Sequence, residues 1–366
     1  MTDSVDFIVN KKDPHQTAFV SGRDSAETAL APGQVLLRVD RFAFTANNIT
    51  YGAVGDLIGY WSFFPTQEGW GRIPVWGFAD VVRARHDGVQ AGERIYGYFP
   101  MSTYLVVQAD HVSAAAFIDA APHRAALPPV YNQYTRIAAA PGYDRAHEGH
   151  VALFRPLFTT SFLLDDFLAA SAFFDTRAVV LSSASSKTAL GLAFLLSQSE
   201  RGQCEVVGLT APANTAFVER TGYYDRVVSY DNVQSLSREM PAVFVDFAGN
   251  ATVVRAVHQA LGEGLKYSCS VGVTHWNQIA FGAEVPGPAP ILFFAPDHAR
   301  RRVGDWGAAG FQSRVGEAME RFLGSAARWL RIVEGSGQAA VEDVYRAALD
   351  GKIDPSEGHV LSLQSP

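Results

Sequence analysis

The chain has 366 residues, 48% hydrophobic and 18% charged, with a formal net charge of −7. That composition excludes a disordered chain and leaves room for roughly two domains. The acidic balance excludes a general nucleic-acid binder, and two cysteines, Cys204 and Cys269, exclude a disulfide framework or a cysteine-rich metal site. The first six residues lack a basic region leading into an apolar core, and no apolar stretch reaches the ~20 residues that span a bilayer. The expectation is a soluble cytoplasmic protein.

From Phe7 to about Val107 the pattern is strand and turn. Short β-rich runs, such as 35–39 and 81–84, are separated by Pro32-Gly33, Asp87-Gly88 and Ala91-Gly92. Many short strands at this spacing predict a compact barrel. From Ala109 to Pro156 the chain is Ala- and Pro-rich, with an aromatic knot at Tyr131, Asn132 and Tyr134. Those aromatics need packing partners, which predicts a structured excursion.

From Asp175 strands alternate with helices. Strands are predicted at 178–181, 205–209, 226–229, 242–246 and 267–272, and helices at 189–197, 215–220 and 252–261. Buried apolar strands interleaved with helices specify a doubly wound parallel sheet. Helices at 311–333 and 341–349 close the chain.

In such a sheet a ligand lies beyond the carboxyl ends of the strands. The first strand-to-helix turn is where a dinucleotide pyrophosphate sits, on N–H groups at a helix N-terminus. Here that turn carries Ser183, Ser185, Ser186, Lys187 and Thr188 in place of glycines. Hydroxyls and an ammonium can hold phosphate oxygens, while the simpler reading is a polar helix cap. The second strand ends Gly208-Leu209-Thr210-Ala211-Pro212, without the acid that holds a ribose 2′-hydroxyl. That favours NADP over NAD, with Thr210, Asn214, Arg220 and Arg226 as candidate contacts to the 2′-phosphate.

The order of segments resembles the medium-chain dehydrogenase/reductase superfamily, and within it the zinc-free quinone-oxidoreductase branch. The resemblance is carried by 31–39, by Phe44-Thr45-Ala46-Asn47-Asn48, by Gly77-Phe78-Ala79-Asp80 with Gly92-Glu93-Arg94-Ile95, and by Leu349-Asp350-Gly351-Lys352. Thr159 stands where that family enters its nucleotide domain, and Ala248 and Gly272 stand on strand ends that line the dinucleotide. The resemblance implies an α/β chain with a GroES-like β-barrel catalytic domain (1–155 and 290–366) and a Rossmann nucleotide-binding domain (156–289). It also implies NADPH as cofactor, a small apolar substrate and a homodimer. The serine-rich turn and the 128–134 excursion depart from the family pattern.

Relatives that use zinc need thiolate and imidazole ligands, yet no Cys lies near Thr45–Asn48 and Phe78 follows Gly77 where such enzymes place His. No metal site is therefore expected. The resemblance then points to reduction of an activated C=C, a quinone or a carbonyl, with a protein group supplying the proton. Tyr51, after Asn48 in the stretch that lines the family's substrate cleft, is the expected donor, with Tyr60 second and His275 a further candidate near the nicotinamide. The aromatics between Tyr51 and Phe99, with Tyr131, Asn132 and Tyr134, suit a bulky or planar substrate. A different class remains open: a non-catalytic reductase-like protein that binds a nucleotide or acts as a sensor.

Overall fold

The computed structural model describes residues 4–137, 143–198, 204–271 and 285–364. Contacts divide the chain into two compact units, Met1–Leu153 with Ile332–Pro366, and Phe154–Arg331.

The first unit opens with β1 (Val5–Asn10), β2 (Thr17–Ser21) and β3 (Gln34–Phe44), followed by the helices α1 (Ala46–Ala53) and α2 (Gly55–Ile58). Next come β4 (Trp70–Gly71), β5 (Pro74–Ala84), β6 (Arg94–Pro100), β7 (Tyr104–Asp110), β8 (Ala116–Asp119) and β9 (Gln133–Arg136). Six of them run in the order β3-β5-β6-β9-β8-β7, and the ladder closes because β3 also pairs with β7. β3 is long enough to serve both edges. It pairs antiparallel with β5 from Val35 to Ala43, while its other edge meets β7 over Gln34–Arg38. The barrel is filled by the inward side of these strands, including Phe42, Ile95, Phe99 and Phe117. Gly97 admits the Tyr134 ring, because a Cβ there would lie 2.4 Å from Tyr134 Cδ1.

The second unit is a parallel sheet. Its strands are β10 (Ala178–Leu181), β11 (Glu205–Thr210), β12 (Arg226–Ser229), β13 (Ala242–Asp246), β14 (Leu265–Ser270) and β15 (Ile291–Leu292). They lie in the order β12-β11-β10-β13-β14-β15, the doubly wound arrangement that reverses direction beside its first strand. Every ladder in it is parallel. The helices are α3 (Glu148–Ala170), α4 (Lys187–Gln198), α5 (Thr215–Thr221), α6 (Ala251–Leu261) and α7 (Ala295–Ala326). The unit boundary falls inside α3, and α7 belongs to the second unit. The chain then forms β16 (Arg331–Ser336), α8 (Gly337–Leu349) and β17 (Glu357–Ser362), and β17 pairs with β3 over Phe42–Phe44.

The barrel-plus-Rossmann α/β architecture is therefore the one present. One local expectation is corrected, and the structured excursion is given its form. The helix at 311–333 ends at Ala326, since Ile332 and Val333 are β-branched and extend into β16. The excursion at 109–156 contains the start of α3, a 23-residue helix that carries Pro156 inside it.

Candidate functional site

At the carboxyl end of β10 the chain turns into α4 through residues 182–186. Ser183 takes a left-handed conformation with φ of 49°, which glycine would adopt without strain. Ser186 caps the helix, its Oγ accepting from Ala189 N–H at 3.3 Å. The capping reading of that serine is thus realised. Ser185 Oγ accepts from Asn214 Nδ2 at 3.1 Å, which joins two of the predicted cofactor residues. Lys187 is the first residue of α4 and half-buried; Thr188 follows, its carbonyl accepting from Ser161 Oγ at 2.7 Å.

Two tyrosines that the sequence reading did not single out grip the same turn. Tyr224 O–H donates to Ala184 O at 2.9 Å, and Tyr230 Oη accepts from Ser183 N–H at 2.8 Å. Gly208, on β11, makes room for Tyr224. A Cβ there would stand 2.8 Å from Tyr224 Cδ1 and 3.0 Å from Ala184 Cβ. Only the adjacent pair Tyr223-Tyr224 and the strand-ending Tyr230 could have signalled this in the sequence.

Behind the turn lies a buried knot. Ser182 O–H donates to Asp246 Oδ1 at 2.5 Å and accepts from Phe247 N–H at 2.9 Å, and Ala248 N–H donates to Asp246 Oδ1 at 3.1 Å. Burial raises the Asp246 carboxyl to about 6, even though the Ser182 hydroxyl and the Ala248 and Gly249 amides favour its ionised form. Ala248 is placed here as a backbone donor. Thr210 ends β11 fully buried, and its hydroxyl has no partner. A buried orphan hydroxyl at a strand's carboxyl end is an acceptor or donor waiting for a ligand or water.

Other predicted contacts stand elsewhere. Arg226 begins β12 and pairs with Glu205 at the start of β11, 2.8 Å away, at the amino ends of those strands. The Thr159 hydroxyl donates to Arg155 O within α3 at 2.6 Å. Gly272 and His275 lie outside the described residues.

The first unit holds the second group. Tyr51 on α1, Tyr60 in the turn after α2, Tyr98 on β6 and Tyr131 ahead of β9 converge with Trp76 of β5. Ring centroids are 4.6 Å apart for Tyr51–Tyr60, 5.9 Å for Tyr51–Tyr98, 4.8 Å for Tyr98–Tyr131 and 5.0 Å for Trp76–Tyr98. The Tyr60 and Tyr131 hydroxyls are 2.9 Å apart. Trp76 and Asn47 face the Tyr51 hydroxyl, but burial dominates and pushes its pKa up. Burial likewise raises Tyr60, Tyr98 and Tyr131, so all four phenols hold their protons at neutral pH. Tyr98 Oη and Asn132 Oδ1 are buried without hydrogen-bond partners.

Asn48 stands apart in chemistry. Its Nδ2 donates to Pro74 O at 2.9 Å and its Oδ1 accepts from Thr45 N–H at 2.8 Å, which closes a capping box on α1. Tyr134 stacks on Phe117 and donates to Tyr98 O at 2.8 Å, so it supports the group from the barrel interior. Arg124, a residue sequence reasoning missed, lies fully buried beneath the cluster. Its Nε is 3.1 Å from Asp119 Oδ2 and its guanidinium covers the Phe64 ring at 4.7 Å.

A family model described as a protein of unknown function, DUF2855, matches residues 42–354. The chain belongs to this family. No curated protein matches the sequence of this DUF2855 member. Among solved structures it is similar to CurA from Vibrio vulnificus in complex with NADPH, with a TM-score of 0.62 and 14% identity over 99% of this chain and 100% of that one. It is similar to the yhdH oxidoreductase from Salmonella enterica in complex with NADP, with a TM-score of 0.54 and 13% identity over 98% and 100% of the two chains. A mutant form of enoyl thioester reductase from Candida tropicalis gives 0.54 and 9% over 99% and 100%. At these identities the likeness is one of fold: a β-barrel unit and a parallel-sheet unit in one chain. Among the described residues no group of three or more His, Cys, Asp or Glu is placed to hold a metal, and no helix is long and apolar enough to cross a membrane.

Proposed function

We propose that this chain is an NADPH-dependent oxidoreductase that reduces an activated C=C, a quinone or a carbonyl of an apolar small molecule. The observation that carries the reading is the convergence of Tyr51, Tyr60, Tyr98 and Tyr131, neutral phenols in an apolar setting, on a chain whose other unit has the dinucleotide-binding strand order. Structurally similar proteins hold NADPH or NADP.

The turn fits such a cofactor. Ser185, Ser186, Lys187 and Thr188 bring hydroxyls and an ammonium to one helix start, and the orphan Thr210 hydroxyl ends the next strand. Ser183, Asn214, Ala248 and Gly272 complete the set proposed to line it. With no acid at the end of β11, a 2′-phosphate meets no repulsion there. When bound, NADPH supplies the hydride. Tyr51 supplies the proton, and the neighbouring phenols stabilise the negative oxygen that develops. Phe78, not a metal ligand, lies under the Arg94 guanidinium at 5.4 Å. We assign no metal to the reaction, and the protein acts in the cytoplasm as a homodimer.

A second reading has its own support. Tyr230 already occupies the Ser183 amide, which would leave one donor fewer for a phosphate. A non-catalytic nucleotide-binding or sensor protein follows from a turn so filled. Mixing the protein with NADPH and a panel of quinones, enones and aldehydes separates the two readings. A reductase consumes NADPH with at least one of them; a sensor binds it and consumes none.

A further inference from the structure

Arg124 is 1% exposed and Asp119, its ion-pair partner, 2%. Taking a guanidinium and a carboxylate out of water costs about as much as their attraction returns, so an apolar pair of similar volume would hold the barrel equally well. What the arginine adds is a fixed, planar set of donors. Asp119 anchors it: Oδ1 accepts from Gln108 N–H at 2.9 Å and from Ala121 N–H at 3.0 Å, and Oδ2 stands 3.1 Å from Arg124 Nε.

From that anchor the side chain reaches two stretches of chain that meet only in the folded protein. On one side its guanidinium covers the rings of Phe64 and Phe63, 4.7 and 5.7 Å from their centres. The Phe63 ring in turn packs against Tyr60 at 6.2 Å, Tyr98 at 5.4 Å and Tyr131 at 5.3 Å. On the other side Arg124 Nη1 donates to Tyr134 Oη at 3.3 Å, and the Tyr134 hydroxyl donates on to Tyr98 O at 2.8 Å. The Arg124 carbonyl accepts from Asn132 Nδ2 at 3.3 Å, which holds the residue next to Tyr131. Tyr60 and Tyr131 are 71 residues apart in sequence, yet their hydroxyls stand 2.9 Å apart, and Arg124 touches the supports of both.

We propose that Arg124 is a positioning residue for the reductase centre: locked by Asp119, it acts through Phe63 and Tyr134 to fix Tyr60, Tyr98 and Tyr131 around Tyr51. This rests on the reductase reading above. Arg124 takes no part in proton or hydride transfer; it sets where the phenols stand when Tyr51 gives up its proton. Neutral hydroxyls stabilise a developing oxyanion only when they are already aimed at it, so the arrangement has to be fixed before the reaction begins.

The test pairs Arg124→Met with Asp119→Leu, so that no buried charge is left alone, and sets beside it Tyr134→Phe, which keeps every charge and ring. Activity is read with NADPH and 1,4-naphthoquinone, 2-cyclohexenone or benzaldehyde, and the full chain is labelled with 13Cζ-tyrosine. The Arg124→Met/Asp119→Leu chain is expected to unfold at the wild-type temperature or above and to bind NADPH with unchanged Kd. Its kcat is expected to fall on the order of 10-fold, because the phenols are no longer held in place. The Tyr60, Tyr98 and Tyr131 signals should be displaced, while that of Tyr345, which donates to Pro14 O, stays where it is. Tyr134→Phe should displace the Tyr98 signal and lower kcat on the order of 3-fold. A folded double variant with wild-type kcat, or phenol signals that do not move in it, would overturn the role of Arg124. Should the double variant lose its fold, Tyr134→Phe decides: a lower kcat with a displaced Tyr98 signal supports the proposal, and a wild-type kcat overturns it. Failure of the reductase reading looks different. Wild-type protein would then consume no NADPH with any of the three compounds, while the tyrosine signals would still report whether Arg124 sets the group.

Discussion

Ser182 and Asp246 share a 2.5 Å hydrogen bond across the carboxyl ends of β10 and β13, neighbouring strands at the centre of the parallel sheet. The bond fixes both strand ends where the chain leaves for the serine turn on one side and for the Phe247–Gly249 turn on the other. Ser182→Ala removes the donor to Asp246 and the acceptor for Phe247 N–H while the carboxylate stays buried. A loss of about 2 kcal/mol is expected for orphaning such a group. Thermal unfolding should show it as a lower Tm at neutral pH.

The same carboxyl makes stability depend on pH. Burial raises Asp246 from 3.8 to about 6 in the folded chain, so the folded state holds a proton that the unfolded state releases. Its contribution is full below 3.8 and is lost as pH rises through about 6. Asp165, on α3, is raised to about 6 by burial and adds in the same direction. Comparing denaturant midpoints of wild type and Asp246→Asn between pH 4 and 7 should show a smaller decline in the variant.

Much of this was legible in the sequence, for definable reasons. The strands Ala178–Leu181 and Ala242–Asp246 lie where apolar runs put them, because strands buried on both faces show no alternation to misread. Tyr51 and Tyr60, named on the family resemblance as first and second proton-donor candidates, pack ring against ring at 4.6 Å. α3 was hidden, since Pro156 looks like a helix breaker and its N-terminal turn is held by Glu148, a carboxylate buried against Arg94 at 2.6 Å. Arg226 was misleading for another reason: its sign and position suit a phosphate, but only the strand register shows that it faces Glu205 at the opposite end of the sheet. Long-range pairs such as Tyr60–Tyr131 leave no local trace at all.

Gly208 tests whether the tyrosine-held turn matters for the cofactor. Gly208→Ala drives a methyl against the Tyr224 ring and Ala184, both under ordinary contact distance. The turn must shift, and NADPH should bind more weakly than to wild type in a fluorescence titration. Lys187→Ala should raise the NADPH Kd by about tenfold through loss of one charged contact, worth about 1.4 kcal/mol. An unchanged Kd in Lys187→Ala would remove the lysine from the site.

Tyr51→Phe separates binding from chemistry. The ring remains against Tyr60 and Tyr98, so NADPH affinity should be unchanged while kcat falls about 100-fold or more through loss of the general acid. Burial holds the Tyr51 pKa above 10, so wild-type activity should show no fall from its ionisation up to that pH. A stopped-flow record across pH 6 to 10 checks both points.

Titration of the purified full chain with NADPH and, separately, with NADH, followed by nicotinamide fluorescence, bears most directly on the reductase assignment. Saturable binding with NADPH clearly preferred is the predicted result, because the end of β11 offers no acid to a ribose 2′-hydroxyl. Binding of neither nucleotide would contradict the account and leave the serine turn as a helix cap alone.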